Sequence, residues 1–193
     1  MSHSLTIPLS RPIKTKLGEV HELVLREPTA GEILKSEVPL RDKVTPDAFR
    51  ETQQALVSLV TGIALDSISE LPISVLVKAS EFLYRFQEAG LEVKRDSGLE
   101  ILEIPLDPPI VTQSAEFTLL ELREPTSGEV KRAESTLSRG RNPHSIREYQ
   151  ISIVSLASGA PRSIIEKLPI SKLNEASHFL QGFITAGRET TSN

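Results

Sequence analysis

The chain has no cysteine and no tryptophan. Without cysteine, disulfides, thiolate chemistry and zinc clusters built on sulfur are excluded outright, and a reducing cytoplasm is a fitting setting. Six Phe and two Tyr are all the aromatics in 193 residues, too few to build stacking platforms for bases or sugars. Neither sign of charge dominates: 22 Lys and Arg against 26 Asp and Glu leave a net charge of −4. That balance is a poor match to a phosphate backbone, so nucleic acid is not expected as a partner. No apolar run approaches the ~18 residues of a membrane span, and Met1-Ser2-His3-Ser4 leads into no signal-peptide core. The expectation is a chain that stays in the compartment where it is made and meets no membrane.

What the chain does contain is a copy of itself. Leu25-Arg26-Glu27-Pro28-Thr29-Ala30-Gly31-Glu32 returns as Leu122-Arg123-Glu124-Pro125-Thr126-Ser127-Gly128-Glu129. Leu71-Pro72-Ile73-Ser74 returns as Leu168-Pro169-Ile170-Ser171, at the same offset of 97 residues (Arg26 to Arg123, Leu71 to Leu168). From Leu5 against Leu102 to Glu92 against Glu189, the ungapped comparison holds roughly 40 identities in about 88 pairs. The chain is one unit written twice, divided as 1–93, a linker at 94–101, and 102–193. Lys94-Arg95-Asp96-Ser97-Gly98 is charged and carries a glycine, as a linker does. Each unit is near the lower size limit for an adequate core, so the two are expected to lean on one another or on partners.

Within the first unit, Ser4 to Leu9 and Glu19 to Arg26 read as strands. Arg11-Pro12-Ile13 and Leu17-Gly18 supply a break and a turn, giving a β-hairpin with a long connection. The octapeptide reads as a strand-to-helix joint. Pro28 stops the strand, Thr29 caps a helix expected over 29–38, and Glu32 reaches back to the cap amide. Thr45-Pro46 announces a second helix, with Asn142-Pro143 in the copy. Phe49, Gln53, Leu56, Val60 and Ile63 are spaced 4, 3, 4 and 3 apart along its inward face, and Gly62 and Gly159 end the two versions. Ser67 to Glu70 repeats the capping spacing, and a last helix follows, ending before Gly90 with Leu76, Ala79, Leu83 and Phe86 inward. Leu173, Ala176, Leu180 and Phe183 match them in the copy. The fold class is α+β: two equivalent units, each an N-terminal β-hairpin followed by about three helices. The tail from Arg188 to Asn193 is expected to fray.

A catalytic or metal site shared by both units would recur in both, and none does. His21 faces Thr118, His144 faces Asp47, His178 faces Glu81, and His3 lies outside the aligned part. No helical metal spacing, serine elbow, dinucleotide fingerprint or phosphate loop is present. Glu27 with Glu32, repeated as Glu124 with Glu129, is the one duplicated acidic pair. A capping role for Glu32 and Glu129, and local ion pairing with Arg26 and Arg123, explain them without acid-base chemistry. The sequence predicts no enzyme, no metal and no cofactor.

Divergence between the copies carries different information. Leu34, Leu65, Val75 and Val77 are apolar where the copy has Lys131, Arg162, Lys172 and Asn174. Conversely, Gln54, Ser67 and Gln87 face Ile151, Ile164 and Ile184. The expectation is two non-equivalent contact surfaces, one per unit, used between the units or toward a partner. Leu65, Val75, Val77, Ile151, Ile164 and Ile184 are the candidate partner-binding residues.

Several of these features together are similar to a known family. They are Leu5-x-Ile7-Pro8-Leu9 with a following Pro12-Ile13, the strand running into Leu-Arg-Glu-Pro-Thr-x-Gly-Glu, the helix closed by Gly62, and Leu71-Pro72-Ile73 before a Phe-containing helix. With these features the chain resembles the tail assembly chaperones of long-tailed bacteriophages, the small Mu-like and P2-like group, over Leu5 to Gly90 and again over Leu102 to Gly187. Members are typically single units, whereas this chain holds two. The resemblance implies a non-enzymatic protein of the host cytoplasm, which coats the tape measure protein until tail tube subunits polymerise around it. It also implies absence from the finished virion, and in related phages a longer frameshifted product that recruits tube protein. The expected partners are thus the tape measure protein and the tail tube protein, with self-association through the tandem units besides. A structural tail or baseplate component of the virion is the alternative.

Overall fold

The computed structural model describes residues 4–15, 18–89, 100–112, 115–138 and 140–189. Strand β1 (Ser4–Thr15) pairs antiparallel with β2 (Gly18–Arg26), burying Ile7 and Ile13 of one and Leu23 and Leu25 of the other. The break expected at Arg11-Pro12-Ile13 does not end the strand. Pro8 pairs with Glu22 and Ile13 with Val20, so β1 bulges between them. Pro12, which cannot donate to a ladder, sits in the bulge. The copy repeats this in β3 (Ile101–Val111) and β4 (Glu116–Arg123), where Pro105 pairs with Leu119 and Ile110 with Phe117. The hairpins remain two separate two-stranded sheets, each of which needs helices to cover its apolar face.

Each hairpin runs straight into a capped helix. In α1 (Ala30–Ser36) the Thr29 hydroxyl accepts from the Glu32 amide, and the Glu32 carboxylate accepts from the Thr29 amide at 2.8 Å. The same box opens α5 (Ser127–Glu134) with Thr126 and Glu129. The helix expected over 29–38 is shorter than that spacing suggested. It gives way at Glu37 to a 3-10 turn over Val38–Leu40, because Pro39 cannot supply the next helical donor.

The second helices, α2 (Pro46–Thr61) and α6 (Pro143–Ser158), start on Thr45 and Asn142 and stop at Gly62 and Gly159. Those glycines lie at φ 73° and 70°, the left-handed caps expected of them. The inward face of α2 is Ala48, Thr52, Leu56, Val57 and Val60. Phe49, placed in the stripe by its spacing, is 45% exposed, as is its copy Ile146. Next come the short α3 (Leu65–Ser69) and α7 (Arg162–Ile165). Ser67 is therefore inside a helix rather than at a cap, and its hydroxyl donates to the Lys14 carbonyl of the hairpin. The last helices are α4 (Ile73–Glu88) and α8 (Ile170–Glu189). They bury Leu76, Ala79, Leu83 and Phe86 in one and Leu173, Ala176 and Leu180 in the other.

The linker at 94–101 lies outside the described residues except for Glu100 and Ile101, and Ile101 already belongs to β3. Of the tail, Arg188 and Glu189 are still helical and the remainder lies outside the description. Buried side chains of both units merge into one core, in which Leu25, Leu56 and Leu83 join Leu122, Ile153 and Leu180. Small halves of this size gain much of their apolar burial from each other.

Candidate functional site

The duplicated octapeptide is where the two units meet, and they meet through it only once. Its residues first do the same local work in each unit. Arg26 clasps Glu32 with bonds of 2.9 and 2.6 Å, and Arg123 clasps Glu129 with bonds of 3.0 and 2.7 Å. The Arg123 side chain, followed by the Thr126 amide, holds Glu129 down at about 2. Burial is the largest influence on Glu32 and pushes it up, yet the Arg26 bond and the Thr29 amide together leave it lowered. A carboxylate locked this way is a poor general base at neutral pH. Its work is to fix the entry angle of the helix.

Beyond those local bonds the copies part. The joint of the first unit sits on the α7–α8 turn of the second. The amides of Ala30 and Gly31 donate to the carbonyls of Leu168 and Glu166, both at 2.8 Å. In return, Ile170 donates its amide to the Pro28 carbonyl at 2.9 Å, and Ser171 donates to the Glu27 carboxylate at 2.9 Å. Two helix starts, α1 and α8, thus satisfy their orphan amides on each other's connecting chain. Gly31 permits the approach: a Cβ there would lie 2.9 Å from the Glu166 carbonyl oxygen. Ile170, one residue beyond the bridge between Thr29 and Pro169, is fully buried.

A polar cluster closes the other end of the seam. Arg147 of α6 is 3.6 Å from the Glu37 carboxylate and bonds Gln87 at 3.1 Å, with both partners on the first unit. Asn174 of α8 donates to the Gln87 carbonyl at 2.7 Å. Burial raises Glu37 to about 7 against the pull of Arg147, and burial likewise lowers Arg147. Glu37 Oε2 and Arg147 Nε have no bonding partner, so the pair is imperfectly solvated and sensitive to pH.

The candidate contact residues fall in different surroundings. Leu65 and Val77 are 48% and 37% exposed on the first unit. Val75 is partly buried against the core, and Ile151 and Ile164 are buried. Ile184 is half-buried on α8. The seam itself uses Glu27, Gly31, Glu37, Arg147, Ile170 and Asn174, of which none is among those six. Asn174 and Gln87 were nevertheless marked by divergence, since each lies opposite an aliphatic residue in the other copy.

Two hollows open on the surface, and the more polar one, of about 440 Å³, is lined by Arg41, Asp42, Asn142, His144 and Glu148. The one lined by Leu5, Lys78, Glu81, Phe82, Arg85 and Phe86 encloses about 430 Å³ and is walled by a mixture of charged and aromatic side chains. Among the described residues no group of three or more His, Asp or Glu could hold a metal ion, and no helix is long and apolar enough to cross a membrane.

Comparison with known families agrees with the division into units. A model described as "Phage tail assembly chaperone proteins, E, or 41 or 14" matches residues 6–88 and again residues 103–185. No curated protein and no solved structure matches. The two matches take in both hairpins, both capping joints and both terminal helices, so the chain belongs to this family of phage tail assembly chaperones, as a tandem of two family units.

Proposed function

We propose that the chain binds the tape measure protein of a long-tailed phage and holds it soluble until tail tube subunits polymerise around it, without catalysing any reaction. The observation that carries this reading is the double family match spanning both units. The surface supports it: Leu65, Ile73 and Val77 on the first unit and Ile101, Leu119 and Ile146 on the second are large apolar side chains left in water. Of these, Ile73 and Val77 lie four residues apart on α4, a spacing that suits a helical client docking an amphipathic face. Of the duplicated acidic residues, Glu32 and Glu129 are engaged in caps and ion pairs and Glu27 in the seam, which supports a binding role over acid-base chemistry. On this reading the protein acts in the host cytoplasm, where the tail is assembled.

The test is co-expression of the chain with the tape measure protein from the same phage. The tape measure protein should move from the insoluble to the soluble fraction and co-purify with the chain. A tape measure protein that stays insoluble and uncaptured beside soluble chain refutes the proposal. Recovery of the chain at stoichiometric amounts from purified, infectious particles would instead favour a structural tail or baseplate component.

A further inference from the structure

We infer that the cavity beside Glu37 is a binding site for a primary ammonium group carried on a short alkyl chain. The cavity encloses about 180 Å³ and lies where the 3-10 turn, α2 and α4 of the first unit meet Pro143 at the start of α6. Its walls are hydrocarbon and ring. Leu40 and Leu56 are buried, Tyr84 is half-buried, and Phe49 is 45% exposed where the cavity meets water. Most polar atoms around it are already engaged. The Ser36 hydroxyl donates to the Ile33 carbonyl and the Thr52 hydroxyl to the Ala48 carbonyl, both at 2.8 Å. Gln87 Oε1 accepts from Arg147 at 3.1 Å. Glu37 is different: it is 7% exposed, and its Oε2 has no bonding partner. A buried carboxylate oxygen so placed calls for a donor.

Water fills that role poorly, because an ordered water needs about three polar partners and these walls are chiefly hydrocarbon. An alkylammonium fills it well. A cavity of about 150 Å³ takes a molecule of benzene's size, so about 180 Å³ has room for a four-carbon amine. The charged head meets the Glu37 carboxylate, which turns easily about its last side-chain torsion. The chain lies against Leu40 and Leu56, and Phe49 and Tyr84 supply rings of the kind that attract cations. Two neighbours bear on the carboxylate. Arg147 of α6 lies 3.6 Å from Oε1, and Tyr84 of α4 has its hydroxyl pushed up by burial and then by the Glu37 charge. Arg147 leaves Glu37 incompletely satisfied, since burial still raises it to about 7. Near neutral pH the carboxyl thus holds a proton part of the time, and an ammonium takes the place of a cation the site already admits. The copy shows that the fold does not require this grouping. Glu134, Ile146 and Gln181 stand where Glu37, Phe49 and Tyr84 do, and Glu134 is exposed.

The test is a titration of the isotope-labelled chain with n-butylammonium, followed residue by residue by NMR. It contains no tape measure protein, so it can fail while the proposed function stands. Amide shifts should saturate and cluster at residues 36–40, 49–56 and 84–87. n-Butanol, with the same chain and no charge, should bind about tenfold more weakly or worse, and Glu37→Gln should weaken n-butylammonium by as much. Phe49→Ile installs the residue that the second unit carries at the equivalent exposed position. It should keep the thermal midpoint and lose about threefold in affinity, and it decides the matter if Glu37→Gln fails to fold. A lysine blocked at both backbone ends separates two sources of the same group. Binding as tight as that of n-butylammonium assigns the site to a lysine of a protein partner, and binding lost to the blocked lysine alone assigns it to a free amine. No saturable shift up to about 50 mM n-butylammonium overturns the inference. So do shifts scattered away from the cavity, n-butanol bound as tightly as the amine, or folded variants with the affinity of the parent.

Discussion

Ile73 and Ile170 are the same residue, one position after the same Leu-Pro, at the first turn of the same helix, and they live in opposite surroundings. Ile73 is 56% exposed and Ile170 is fully buried. The difference has no local cause. It arises because the joint of the first unit covers the second unit's α8 start, and nothing among the described residues covers the first unit's α4 start. Duplication therefore produced two copies of one fold and only one copy of one interface, and the chemistry of burial is decided by that count.

The comparison breaks most sharply at those two isoleucines. Ile170→Ala removes a fully buried side chain from the seam and should cost about 2–5 kcal/mol. Ile73→Ala, made at an exposed place, should stay within about 0.5 kcal/mol. Urea unfolding of the two variants reads the difference directly. Equal losses would mean that the α8 start is not covered in solution.

A second break is electrostatic. The Glu-Arg pair is present twice in the sequence, and Glu37 with Arg147 is buried while Glu134 with Arg50 is exposed. Glu37 sits at about 7, raised by burial from the ordinary 4.5. The folded chain then binds more protons than the unfolded chain between those values, so stability present below pH 4.5 is lost as pH rises through 7. The shift limits the loss to about 3 kcal/mol. Glu37→Gln should flatten the stability profile between pH 5 and 8, whatever its effect on the absolute value. An identical slope in the variant would remove Glu37 as the source. Glu129 runs the opposite way: held at about 2 by the Arg123 bond, it contributes stability above the ordinary carboxylate range that is lost as pH falls toward 2.

Much of each unit could be read from the chain because its determinants are local. Thr29 with Glu32, Thr126 with Glu129, and the glycines closing α2 and α6 act within a few residues, and they stand where the spacing put them. The α+β class and the division into two units were equally legible, since a long ungapped repeat needs no tertiary information. Misreadings cluster where an element meets another. Phe49 fitted a helical stripe, but α2 turns its Thr52 and Val57 side inward, a rotation set by the neighbouring helices. The break at Pro12 became a bulge because both flanks could still pair. Ser67 looked like a cap and proved to be helical, tying α3 to the hairpin. The place of the seam was not legible, since near-identical octapeptides enter it and stay out of it. Its one signal in the sequence was paired divergence, Gln87 with Ile184 and Val77 with Asn174, which marks a surface without saying which copies touch.

The smallest effect sharpens the comparison furthest, because it makes the same substitution at two equivalent positions of the repeat. Gly31→Ala places a methyl 2.9 Å from the Glu166 carbonyl oxygen and 3.1 Å from its Cβ. The first of these is backbone and cannot swing aside, so α1 and the α7 end must separate. Such overpacking costs about 1–3 kcal/mol, offset in part by up to about 1 kcal/mol from replacing a helical glycine with alanine. Gly128→Ala receives the helical gain without the clash, since nothing lies within 4 Å. The first variant should unfold at lower urea than the parent, and the second at the same or higher urea. Because intrinsic helix preference is common to both, the gap between them measures the seam alone. Two variants shifted equally would show that the joint of the first unit does not rest on the second.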